Sequence, residues 1–67
     1  MRIQVIRGEH VEATVDLFPD TQPVVHGPLE MIEIDGIRER IARGEQHGAM
    51  GDGRTWRVDP TWRDPTP

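Results

Sequence analysis

The chain reads as a small α+β domain: an antiparallel sheet, one short helix packed on it, and an extended C-terminal tail. Three observations carry that reading. Apolar and polar residues alternate with a period of two near the N-terminus, and a single isoleucine pair at helical spacing runs into a glycine. A second alternating stretch then stops at closely spaced prolines.

Arg2 to Arg7 reads as a strand, and residues 11 to 17 as a clearer one, with Val11, Ala13, Val15 and Leu17 alternating with Glu12, Thr14 and Asp16. Register follows from the faces. A two-residue Gly8-Glu9 loop would set Val5 opposite Glu12 and mix apolar with polar. A three-residue Gly8-Glu9-His10 loop, or an equivalent bulged turn, pairs Arg7 with Val11, Val5 with Ala13 and Ile3 with Val15, and sets Arg2 across from Asp16 and Gln4 across from Thr14. The second arrangement is the expectation.

Residues 18 to 23 break the pattern with Pro19, Asp20 and Pro23, and Val24-Val25-His26 follows as a short strand. Apolar positions between 29 and 41 do not keep to one helical face, and Gly36 would cost a helix about 1 kcal/mol against alanine. Residues 29–34 are therefore expected to form a strand, with Asp35 as the N-cap of a helix that runs to about Arg43 and ends at Gly44. Ile37 and Ile41 share a face of that helix, and Glu39 pairs with Arg43. Residues 45–53 read as a loop from which Met50 drops into the core. Asp52-Gly53 then turns into a strand over 54–58 that carries Trp56 and Val58 on one side. Pro60, Pro65 and Pro67 forbid regular structure beyond it, so residues 1–58 are assigned to the domain and 59–67 to the tail.

Composition limits the chemistry. A chain of 67 residues makes one domain and buries only about 60% of its unfolded surface. Cysteine is absent, which removes disulfides and thiolate zinc sites, so self-association or docking on a larger partner is the expected source of added stability. Lys, Ser, Asn and Tyr are absent too, and all eight basic residues are Arg. These missing types are mostly written with A/T-rich codons, which points to a GC-rich genome, that of a high-GC bacterium or its phage. No serine or cysteine nucleophile, Schiff-base lysine or tyrosine acid is on offer, and an enzyme is not expected. Net charge is −4, and it is uneven: residues 1–53 carry five Arg against ten acids, residues 54–67 three Arg against two. That balance disfavours sequence-independent phosphate binding. No apolar run approaches the roughly 20 residues of a membrane span and no signal-peptide pattern opens the chain, so a cytoplasmic protein or a virion component is expected.

Both tryptophans lie in one C-terminal repeat, Thr55-Trp56-Arg57 and Thr61-Trp62-Arg63. Trp and Arg are the side chains most enriched at interface hot spots. Trp56 stands on a strand and reads as core, whereas Trp62 follows Pro60 with no local partner to bury it. Trp62, Arg63, Arg57 and Trp56 are the candidate partner-binding residues, and Trp62 leads them.

Other constellations are weaker. His10, His26 and His47 are the only metal-ligand candidates beside nearby carboxylates, but no pair has a ligand spacing, and no cofactor or metal is expected. The Gly48–Gly53 stretch has neither the glycine spacing nor the strand-to-helix context of a phosphate loop. Glu30 and Glu33 would fall on opposite faces of a strand and could not act together. The expected function is a non-enzymatic protein-protein interaction module, an inhibitor, accessory or assembly subunit of a phage or other mobile element. It would dock through its Trp/Arg tail and a sheet edge, on another protein or on itself as a homo-oligomer. The alternatives are a ligand or single-stranded nucleic-acid binder that stacks bases on Trp62 and Arg63, and a minimal His/carboxylate metal-dependent enzyme.

Overall fold

Strands β1 (Arg2–Arg7) and β2 (His10–Asp16) form the N-terminal hairpin in a computed structural model that describes residues 1–62. Four of the expected pairs are present: Arg2 with Asp16, Ile3 with Val15, Gln4 with Thr14 and Val5 with Ala13. The turn solves the register problem by the bulged route. Arg7 pairs with His10 across a two-residue Gly8-Glu9 loop, Ile6 pairs with Val11, and Glu12 is the extra residue between the two registers. Gly8 has φ 63° at the first loop position, where a type II′ hairpin needs a positive value. One consequence departs from the sequence reading. Val11, expected on the apolar face, is carried by the bulge to the face of Ile6 and lies exposed.

The remaining strands are β3 (Val24–His26), β4 (His47–Ala49) and β5 (Arg54–Val58), and the helix is α1 (Met31–Ala42). The sheet order is β3-β2-β1-β5-β4, antiparallel throughout. Since β3 and β4 occupy opposite edges, α1 crosses one face of the sheet to connect them. That face holds the core: Ile3, Val5, Ala13, Val15 and Trp56 from the strands meet Ile34 and Ile37 from the helix, with Leu17, Val25, Leu29, Ile41, Met50 and Val58 packed around them. Trp56 is the largest buried side chain, 1% exposed.

Two sequence expectations are corrected here. Residues 29–34 are not a strand, because the helix begins at Met31 with Glu30, not Asp35, as its N-cap. The Glu33 carboxylate accepts the Glu30 backbone N–H at 3.0 Å, and the N–H groups of Glu33 and Ile34 donate to the Glu30 carbonyl. The Glu33-to-Glu30 bond is the N3 arm of a capping box, and it puts a carboxylate in the positive first turn. Ile34, Ile37 and Ile41 then align on one face, while Ile32 is left 76% exposed. The expected C-terminus holds. Arg43 is the C-cap and Gly44 takes φ 96°; Gly44 N–H donates to the Ile41 carbonyl and Glu45 N–H to the Arg40 carbonyl, a Schellman motif. The second correction is β4, which lies in the stretch expected to be loop. Its three residues have almost no strand signal of their own and exist by pairing with β5, His47 with Arg57, Gly48 with Trp56 and Ala49 with Thr55.

Arg54 ties these elements together. Its guanidinium, 9% exposed as a residue, bonds the Asp52 carboxylate (Nε to Oδ2 2.8 Å), the Glu33 carboxylate and the Pro28 carbonyl. One side chain thus clamps the helix N-terminus, the segment before it and the β4–β5 turn. The two carboxylates raise the guanidinium's pKa further above its usual range, Asp52 contributing most. Asp52 is correspondingly held below the ordinary carboxylate range by its hydrogen bond to Arg54. Among the described residues no helix is long and apolar enough to cross a membrane.

Candidate docking surface

Because the helix covers one side of the sheet, the opposite face is open among the described residues. Register carries five residues across it in one row: His26 on β3, Thr14 on β2, Gln4 on β1, Arg57 on β5 and His47 on β4. Alternation along each strand explains the composition, since these positions are the partners in period of the buried Val15, Val5 and Trp56 and the half-buried Val25. Arg57 Nε donates to Gln4 Oε1 at 2.7 Å, and Gln4 Nε2 reaches Asp59 Oδ2 at 3.4 Å. Every arginine through Arg54 except Arg38 has a carboxylate partner among the described residues. Arg57 has none. Among the described residues it is the uncompensated cation of this face.

Beside that row lies Trp62. Asp59 N–H donates to the Arg2 carbonyl at 2.9 Å, and the Asp59 carboxylate then accepts the Thr61 N–H and hydroxyl at 2.9 and 2.7 Å, an Asx turn that bends the chain after Pro60. Those bonds lower the Asp59 pKa. The turn delivers Trp62 to the end of the β1–β2 hairpin. Its ring meets Phe18 edge-on, centroids 6.1 Å apart at 63°, and the Arg2 guanidinium stands over it at 5.4 Å. Arg2 is itself held by a bidentate pair with Asp16, at 2.7 and 3.0 Å, which lowers the Asp16 pKa. Sequence reasoning missed this cradle. Asp59-Pro60-Thr61, an Asx-turn signature, was the signal that could have found it. Trp62 therefore does have a local partner, and remains half-buried on the surface.

The predicted site residues separate. Arg57 and Trp62 share the open side of the sheet. Trp56 is in the core and supports that surface from beneath. Arg63 lies outside the described residues. The three histidines do not converge: His26 and His47 stand on opposite edges, four strand spacings or roughly 19 Å apart, and His10 is at the turn end of β2. Among the described residues no group of three His, Cys, Asp or Glu side chains could hold a metal ion. Of Glu30 and Glu33, brought together by the helix start, the Glu33 carboxylate is committed to the Glu30 N–H and to Arg54.

Fold and surface define a class, a five-stranded antiparallel sheet with one helix on one face and a polar, arginine-bearing open face. No family model, curated protein or solved structure matches this chain.

Proposed function

We propose that the chain is a non-enzymatic protein-interaction module that docks through the open side of its sheet, with Trp62 and Arg57 as the principal contacts and a sheet edge beside them. The observation that carries the reading is that a half-buried tryptophan and an arginine with no carboxylate partner among the described residues both lie on the side the helix leaves bare. Trp and Arg in a partly desolvated setting are the usual anchors of such contacts. Base stacking is the weaker use of this surface, since one side of the Trp62 ring is already taken by Arg2 and the chain is acidic overall. Docking of this kind also suits a small domain that has no disulfide to add to its core.

Capture from the native host tests the reading. Full-length chain should retain a defined protein that Trp62→Ala and Arg57→Gln chains retain weakly or not at all, with all three still folded. Equal capture by all three, or no specific capture by any, would refute it.

A further inference from the structure

Among the described residues strand β4 is an open edge with a depression on each face. On the helix side a shallow groove of about 200 Å³ runs between α1 and the strand; Ile32, Gly36, Ile37, Met50 and Trp56 give it an apolar floor, and Glu33 and Arg40 also line it. On the open side a broader hollow of about 450 Å³ is lined by Ile6, His47, Ala49, Thr55 and Arg57. Two glycines shape the groove. A Cβ on Gly36 would meet no atom within 4 Å, so nothing in this chain requires glycine at that mid-helix position, where it is a standing cost to stability. A Cβ on Gly48 would come within 2.8 Å of Trp56 Nε1, so the indole lies against bare backbone at the strand edge.

Among the described residues the backbone of β4 is equally open. Met50 N–H bonds the Arg54 carbonyl and Val58 N–H the Gln46 carbonyl, both at 2.9 Å, so the bonded pairs with β5 fall on residues 46, 48 and 50. Antiparallel alternation then turns the peptide groups of His47 and Ala49 outward, the template that an added strand uses. Side chains of such a strand would alternate between the two depressions. The residue opposite Gly48 would enter the groove over Trp56 and beside Ile32, and its neighbour opposite His47 would lie near Arg57, which has no carboxylate of its own among the described residues.

We propose that β4 takes up an extended segment of a partner protein as a sixth strand, one in which an apolar side chain for the α1–β4 groove is adjacent to an acidic side chain for Arg57 and His47. This rests on the interaction-module reading and gives its partner's chemistry.

Selection from a displayed random-peptide library over the full chain provides the probe, and one selected peptide is then titrated against variants. Adjacent apolar and acidic residues should be enriched. Gly36→Leu, which fills the groove, should weaken the peptide by roughly thirtyfold, the weight of one hot-spot side chain, while melting no lower than the parent. Ile32→Glu, at an exposed position on the groove's rim, should weaken it similarly and guards against a packing fault in the leucine variant. Arg57→Gln should abolish the acidic preference, and Arg38→Gln, at an exposed helix position outside the groove, should leave peptide affinity unchanged. Peptides indifferent to both groove variants, or no enrichment above that on the Gly36→Leu chain, overturn the inference. Binding lost in Trp62→Ala alone overturns it too, yet leaves the interaction module standing with Trp62 as its contact. A dimer in sedimentation that Gly36→Leu dissolves would assign the edge to a second copy and overturn the partner proposed.

Discussion

Trp56 and Trp62 occupy the same position in a sequence repeat and do different physical work. The first fills the space between helix and sheet; truncating it to alanine removes about 3–5 kcal/mol, which is comparable with the whole stability of a domain this small. Trp56→Ala should therefore lack a cooperative thermal transition in circular dichroism. Trp62 rests on Phe18 and Arg2 at the surface, so Trp62→Ala should keep a cooperative transition at a modestly lower temperature. Gly48 belongs with Trp56. An alanine there sets a methyl group against the indole, and Gly48→Ala should cost about 1–3 kcal/mol as an overpacked contact, read as a lower urea midpoint with unchanged slope. An unchanged midpoint would mean that the indole moves aside freely.

At the level of elements, the helix carries two glycines with opposite expectations. Gly36 has an ordinary helical backbone and open space around it, so Gly36→Ala should raise stability by about 1 kcal/mol in chemical denaturation. Gly44 is left-handed at φ 96°, and Gly44→Ala should lower it by about 1–2 kcal/mol. Why one of these glycines was legible and the other misleading is instructive. Gly44 follows the last apolar residue of the helical pattern and marks its end directly. Gly36 sits inside the helix, and together with the exposed Met31 and Ile32 it blurs the apolar stripe enough to suggest that the first turn is a strand. The local signal that outweighs it is Glu30-x-x-Glu33, two carboxylates at capping-box spacing. The hairpin was readable because alternation on both strands allows one register that separates the faces, and the bulge at Glu12 preserves it despite a shorter loop. Strand β4 was not readable, since Gly48 and Ala49 have no strand preference and the element is made by its neighbour. The Trp62 cradle was hidden for a related reason: Arg2 and Phe18, on which the ring rests, are distant in sequence, and only the Asp59 turn is local.

Across the whole molecule, side-chain ion pairs and hydrogen bonds supplement the small core. Arg2 and Asp16 join the two hairpin strands, Arg54 gathers Asp52 and Glu33, and Asp59 shapes the turn that seats Trp62. Asp16, Asp52 and Asp59 all have lowered pKa values, Asp16 through Arg2, Asp52 through Arg54 and Asp59 through Thr61. A carboxyl whose folded pKa lies below its unfolded value contributes stability that is fully present above the unfolded pKa. That contribution is lost as pH falls through the folded pKa. Stability should accordingly be level above about pH 5 and decline below about pH 4, where unfolded aspartates begin to take up protons. Thermal melts across this range check it, and Asp16→Asn should flatten part of the decline while lowering the plateau. Melting that rises on acidification would contradict the assignment of these pairs. The same arrangement leaves Arg57 uncompensated on the open face, which is where function is placed. The most direct test of that placement is a backbone amide and indole NMR titration of the full chain with a protein captured from its host. Shifts should concentrate on the Trp62 indole, on Arg57 and the rest of β5, and on β4. Shifts confined to the solvent side of α1, around Asp35, Glu39 and Arg43, would contradict the account.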